Sequence, residues 1–266
     1  MNYGKKKASK KQKQITSKST MQGKRVTVRL LKAFILCVLA ICIIGMIGGL
    51  IFVKRILDNS PEVTPDDVRP KGYTTIVYAD DGATELERFV EAGSNREYKS
   101  IDQIPVDLQH AFVAIEDERF YEHNGIDPQG ILRAAVTGIT SGGDFSQGAS
   151  TLTQQLIKNN VLPDFVNEET FYDRLERKIQ EQFLALDIEK QMSKDEIMEA
   201  YLNTINLGQN TLGVQSASKR YFNKDVSELT LSECAVLASI TQNPSRYNPI
   251  TNQDANAKRR TEVLNK

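Results

Sequence analysis

Three kinds of hydrophobic pattern follow one another along the chain. From Ala33 to Val53, AFILCVLAICIIGMIGGLIFV, 21 residues pass without a charge, and as a helix such a run spans roughly 31 Å, one bilayer crossing. From Thr74 to Phe89, TTIVYADDGATELERF, β-rich runs flank Asp81-Gly82 and predict a hairpin. From Pro105 onward apolar residues recur at helical spacing almost to the end. Leu108, Phe112 and Ile115 mark a buried stripe that ends at Glu116; Asp127-Pro128 opens a helix over QGILRAAVTGI. Ser193 with Glu196, and Thr230 with Glu233, form capping boxes ahead of apolar runs. The longest pattern, Glu168 to Met192, puts Leu175, Ile179, Phe183 and Leu186 on one stripe. The expected body is mainly α, about 170 residues long, with a small β-hairpin at its entrance and one transmembrane helix before it.

Charge divides the chain in the same places. The first 32 residues hold eleven Lys or Arg and no acid, which leaves 23 of the 34 basic residues to face all 34 acidic ones. An acidic body argues against nucleic acid as a partner. The basic excess before the apolar run, against only Lys54 and Arg55 after it, predicts a cytoplasmic N-terminus and an external body. The run is too long for the core of a cleaved signal peptide, so an uncleaved anchor is expected. The expected divisions are a basic, disordered tail near anionic lipid (1–32), the anchor (33–53), a stalk rich in Pro and Asp (54–72) and the folded domain (73–266). Cys37 and Cys42 lie in the anchor; Cys234, in TLSECAVLASI, reads as a small buried hydrophobe. Gly45 and Gly49 form a GxxxG, weak as a dimerisation signal in a glycine-rich span.

Candidate chemistry begins with GASTLTQQLIKN, Gly148 to Asn159, a helical pattern with Ser150 as its expected N-cap. At about 100° per residue Thr151, Gln154, Gln155 and Lys158 share one arc. That face suits a ligand rich in oxygens and negative charge, or simply meets water. Glu116 sits at the edge of its apolar stripe, with Asp117 and Glu118 expected to rotate toward solvent. A carboxylate so placed is either a general acid or base tuned by desolvation, or an ion-paired surface acid. His123 reads as a structural hydrogen-bonding group, since no second His or Cys stands at ligand spacing. In RLERKIQEQF the Arg177–Glu181 pair at i,i+4 is either a surface ion pair or a cation source for phosphate, with Glu181 orienting the cations or sharing a metal. No Walker loop, GxGxxG or Ser/His/Asp set stands out.

The ordered series EDERFYEHNG, GASTLTQQLIKN, RKIQE, KDEIMEAYLNTINLG and RRTEVL closely resembles the five motifs of the peptidoglycan glycosyltransferases, glycosyltransferase family 51, found in class A penicillin-binding proteins and in monofunctional enzymes. The resemblance runs from about Glu97 to Leu264. It implies a lysozyme-like glycosyltransferase domain that polymerises lipid II outside the membrane. Glu116 would be the general base on the 4-hydroxyl of the acceptor sugar, and Glu181 the second acid across the cleft. Lys158 and Arg133 would face the diphosphate, with a divalent cation such as Mg or Mn allowed and no organic cofactor. Thr151, Gln154, Gln155, Asn159, Arg177 and Lys178 would join them in binding substrate, while Tyr201 and Asn203 would shape the cleft. A small apolar lobe between Ile131 and Phe145 would dip into membrane lipid. Implied partners are lipid II, the nascent glycan strand, lipid, and proteins of cell division or elongation.

Two other classes compete with that reading. A lysozyme-like lytic glycosidase also needs one glutamate in a cleft, but leaves Lys158, Arg133 and the Arg177–Glu181 cluster without work. A non-catalytic membrane-anchored scaffold would be expected to have lost a motif, and none is lost. Because Lys266 follows the fifth motif by two residues, the expectation is the front part of a bifunctional enzyme whose transpeptidase domain comes later, rather than a monofunctional one.

Overall fold

The computed structural model describes residues 4–15, 17–90, 95–141, 148–162 and 170–266. Two compact units emerge, Met1–Asn59 and Ser60–Lys266.

The first unit contains helix α1 (Lys5–Ile15) and helix α2 (Lys18–Asp58). The lysine-rich segment expected to be disordered is thus helical over Lys5–Ile15. Within α2, Val26–Asp58 is long and apolar enough to cross a membrane, and apolar side chains such as Phe34, Leu39, Ile44 and Leu50 are exposed along it. The helix continues on both sides of the uncharged run, because Lys and Arg are good helix formers and no Gly-Pro signal stops them.

The second unit opens with a single turn, α3 (Pro65–Val68), under a Thr64–Asp67 capping box. Val63 and Val68 belong to the core, so this stretch is part of the fold rather than a stalk: two apolar side chains are enough to pin it down. Strands β1 (Thr75–Tyr78) and β2 (Glu85–Phe89) pair antiparallel, Thr75 opposite Phe89 and Tyr78 opposite Glu85. Their turn is built by Asp81, whose carboxylate accepts from the backbone of Ala83 and Thr84 and from the Thr84 hydroxyl. Those donors hold Asp81 down at about 2.

Among the described residues, seven helices build the core beyond a 3₁₀ turn at Ile101–Gln103. They are α4 (Val106–Glu116), α6 (Leu152–Asn160), α7 (Phe171–Ile188), α8 (Lys194–Leu202), α9 (Val214–Phe222), α10 (Leu231–Ile240) and α11 (Gln253–Leu264). α6 packs against α3, α7 and α8, while α10 packs against α4, α9 and α11. Phe112, Leu152, Leu156, Ile157, Met198, Tyr201 and Leu237 are fully enclosed between them. Cys234 is buried there too, its thiol pushed up to about 12 by loss of solvent. α5 (Pro128–Thr140) starts as expected from the Asp127 cap and Pro128, but buries only Gly130 and Gly138.

Two expected faces are corrected. In α7 the buried positions are Glu181, Leu184, Ala185 and Ile188, whereas Leu175 and Phe183 lie exposed. Glu181, which the sequence left between a surface ion pair and an acid that orients cations, is buried, and the two cations beside it allow that. The beginning of that pattern, like the segment 142–147 in the expected apolar lobe, lies outside the described residues. In α6 the N-cap is Thr151, accepting from the Gln154 amide, and not Ser150.

Candidate active site

Glu116 is the last residue of α4, and the chain turns away from the helix at Asp117, the C-cap. The turn points two adjacent carboxylates in different directions. Asp117, expected in solvent, is buried: it accepts from the Leu152 amide at the start of α6 at 2.9 Å and from His123 Nε2 at 2.9 and 3.0 Å. An anion there satisfies an orphan N–H and the helix dipole together. His123 Nδ1 accepts from the Gly125 amide, so the proton sits on Nε2 and is given to Asp117. Gly125, at φ +88°, is required: a Cβ would stand 2.7 Å from the Ala185 carbonyl oxygen.

Glu116 keeps its carboxylate 13 % exposed. Oε2 accepts from Gln155 Nε2 at 2.9 Å, and Oε1 accepts from the Thr241 hydroxyl. Tyr201 donates to Gln155 Oε1 at 3.3 Å, which leaves only the NH₂ end of that amide to meet the glutamate. Tyr201 is buried beneath Gln155, edge-on to Phe112, and burial, then the negative charges of Glu116 and Asp117, hold its hydroxyl protonated far above the usual range. Arg259 of α11 comes within 3.9 Å of Glu116 Oε1, lies over the Tyr247 ring, and has a buried Nε with no hydrogen-bond partner among the described residues.

A cavity of about 460 Å³ opens beside this carboxylate, walled by Glu116, Asp117, Glu118, Arg133, Gln242 and Arg259 among others. Arg133, on the exposed side of α5, stands 3.7 Å from Glu118. A narrower recess joins Glu116 and Arg133 to Ser150 and Thr151. Lys178 reaches Ser150 at 3.0 Å and also donates to Glu181, whose other oxygen is held by Arg177. Glu181 is 1 % exposed. Lys158 completes the cluster: burial pushes its ammonium down, Glu181 opposes that, and Lys178 and Arg177 add to it. Arg177 and Lys178 hold the buried Glu181 carboxylate and Lys158 senses its charge, a gathering of cations that suits an anionic ligand.

The arc expected on α6 therefore splits. Thr151 and Gln154 turn inward and both donate to the Gly125 carbonyl, because capping and burial used the polar groups that the helical wheel assigned to a ligand. Gln155 meets Glu116, and Lys158 meets the cation cluster; Asn159 is half-buried near the helix end. Asn203 is fully buried, bonded to the Lys99 backbone on both sides and to Glu199. Sequence reasoning missed Asp117, Thr241 and Arg259. Arg259 lies in RRTEVL and was open to suspicion; Thr241 carried no signal. Among the described residues no three His, Cys, Asp or Glu side chains converge, and both Glu181 oxygens face cations.

Residues 82–266 match the family model described as Transglycosylase. The chain belongs to the transglycosylase family. Among similar proteins, penicillin-binding protein 1A of Clostridium perfringens is 40 % identical over 94 % of this chain and 36 % of its own length. Penicillin-binding protein 1A of Escherichia coli K12 is 43 % identical over 86 % of this chain and 26 % of its own. Penicillin-binding protein 1F of Bacillus subtilis is 46 % identical over 64 % and 23 %. The chain thus spans about a third or less of the length of these relatives. In this transglycosylase domain the segments EDERFYEHNG and GASTLTQQLIKN meet at Asp117–Leu152 and Glu116–Gln155.

Proposed function

We propose that this chain polymerises lipid II into the glycan strands of peptidoglycan. The observation that carries the reading is the Glu116 carboxylate, gripped at both oxygens yet open to a cavity with Arg133 and Arg259 on its wall. In the proposed step the 4-hydroxyl of the acceptor sugar gives its proton to Glu116 as its oxygen bonds to C1 of the growing strand. The C1–oxygen bond to the diphosphate breaks with inversion, and undecaprenyl diphosphate leaves with the bonding electrons. Negative charge develops on that leaving group, so fixed cations lower the barrier. Lys158, Arg177 and Lys178, already crowded around Glu181, and Arg133 at the cavity mouth, are the residues for it. Glu181 holds the cations in place instead of reacting. No step is routed through a metal ion.

The apolar span Val26–Asp58 is read as the membrane anchor with the N-terminus in the cytoplasm, which brings the domain to the face where a polyprenyl-linked substrate can be reached. α5, exposing Ile131, Leu132, Val136 and Ile139, is read as the part that touches lipid. A lytic glycosidase has no use for a cation cluster, since its substrate is neutral. The test is glycan formation from labelled lipid II by the purified chain in detergent, beside Glu116→Gln and Lys158→Ala. Polymer from the parent and almost none from folded Glu116→Gln supports the reading; shortening of preformed glycan would replace it with hydrolysis. A folded but inert parent would favour a scaffold.

A further inference from the structure

We propose that Thr241 is a positioning residue for Glu116 that serves the carboxylate in both of its protonation states. The inference rests on the base role given to Glu116 above. Thr241 is the C-cap of α10, 125 positions from Glu116 in the chain. Its hydroxyl oxygen has two acceptors in reach, Glu116 Oε1 and, at 3.1 Å, the Ala238 carbonyl. A hydroxyl has one proton, so only one of them receives it at a time.

While Glu116 is ionised, the carboxylate is the stronger acceptor and takes the hydrogen bond. After Glu116 has received the proton of the sugar hydroxyl on Oε1, the new O–H can donate to Thr241 Oγ1, and the threonine proton turns to Ala238. No heavy atom moves, and the only proton that changes owner is the one from the sugar. Gln155 cannot act this way, because Tyr201 fixes its amide as a donor toward Oε2. Thr241 is therefore the adjustable half of the clamp and Gln155 the fixed half.

The charged groups around Glu116 act at longer range or on other partners. Arg259 stands at 3.9 Å on α11 and Asp117 is held by His123 and the Leu152 amide. Glu118 faces Arg133, Glu262 and Lys266 lie on the cavity wall, and Lys158 and Tyr201 act through space. None of them replaces a lost hydroxyl at Oε1.

The test compares the full chain in detergent with Thr241→Val and Thr241→Ser. Valine removes the hydrogen bond from both forms, and the one to the ionised form is the stronger, so the acid limb of kcat/KM against pH should move up by the difference, roughly half a pH unit to one. kcat should fall about tenfold with KM little changed, and serine should restore both. An unmoved acid limb in Thr241→Val, or a serine variant as impaired as valine, overturns the proposal. A second readout does not need turnover: the infrared carboxylate band of Glu116, isolated as parent minus Glu116→Gln, should titrate at higher pH in Thr241→Val. If the band shifts but the parent makes no glycan, the polymerase reading fails and the clamp survives; if glycan forms and the band does not shift, the clamp alone fails. Should valine not fold, Thr241→Ala deletes the same hydroxyl without an added methyl and is read identically.

Discussion

The interior around α6 and the surface of α5 invert the usual distribution of polarity. Around α6, Asp117, Glu181, Thr151, Gln154 and Asn203 are almost wholly enclosed, whereas α5 leaves Leu132 67 % and Ile139 75 % exposed. α10 shows that composition is not the cause. It is as apolar a helix as α5, yet seven of its ten residues are buried, because α4, α9 and α11 surround it. Burying a polar group is tolerated only where every donor and acceptor is matched, and exposing apolar ones is tolerated only where something other than water meets them. The first condition is met inside the protein by explicit partners. The second points outward.

The largest way to break this comparison is at Glu116. Glu116→Gln keeps shape and hydrogen bonds, so glycan formation should drop by about 10³ while the melting temperature stays put; equal losses in both would make the glutamate structural. Next comes Glu181→Ala, which removes the buried anion that Arg177 and Lys178 share and should cost on the order of 3 kcal/mol in denaturant unfolding. A neutral result would mean the cluster is not desolvated. Asp225 gives a pH version of the same point. Its burial would raise it, but Lys99, Ser227 and Gln215 outweigh that and hold it below its ordinary 3.8. Its folded value being the lower one, its contribution is complete above pH about 4 and lost as pH falls. Asp225→Asn should thus weaken the fold at neutral pH and much less in acid, read by urea midpoints at both. Tyr201→Phe should cost about 1 kcal/mol and free the Gln155 amide to flip, visible as a weaker clamp on Glu116 in the same infrared difference.

The smallest expected effect sits on α5. Leu132→Asp should change stability by no more than about 0.5 kcal/mol, since nothing packs on that side chain. The chain has no tryptophan, so Leu132→Trp makes a single reporter. In bilayers of brominated lipid its fluorescence should be quenched; an unquenched signal would remove the membrane from the comparison and leave the exposed face unexplained.

Much of the fold was legible because its signals are short-range. The Asp127, Ser193 and Thr230 caps, the hairpin at Asp81-Gly82 and the apolar stripe ending at Glu116 all depend on residues within four positions of each other, and all appear where expected. The family motifs likewise marked Glu116, Gln155, Lys158 and Glu181 in advance. Where the reading failed was Asp117, sent to water and found enclosed; Thr151 and Gln154, read as facing a ligand or water, turn inward instead. A helical wheel reports angle, not what stands opposite.

The sequence by itself determined most of the elements, the caps at Asp127, Ser193 and Thr230, the acidic body behind a basic tail, and the family. Only the tertiary structure decided which polar groups face inward and who holds Glu116, since Gln155 and Thr241 reach it across 39 and 125 positions of chain. Local pattern carries the energy of capping and amphipathic burial, which act over a turn or two. The partners of a buried charge are set by which helix ends the packing brings within hydrogen-bond reach.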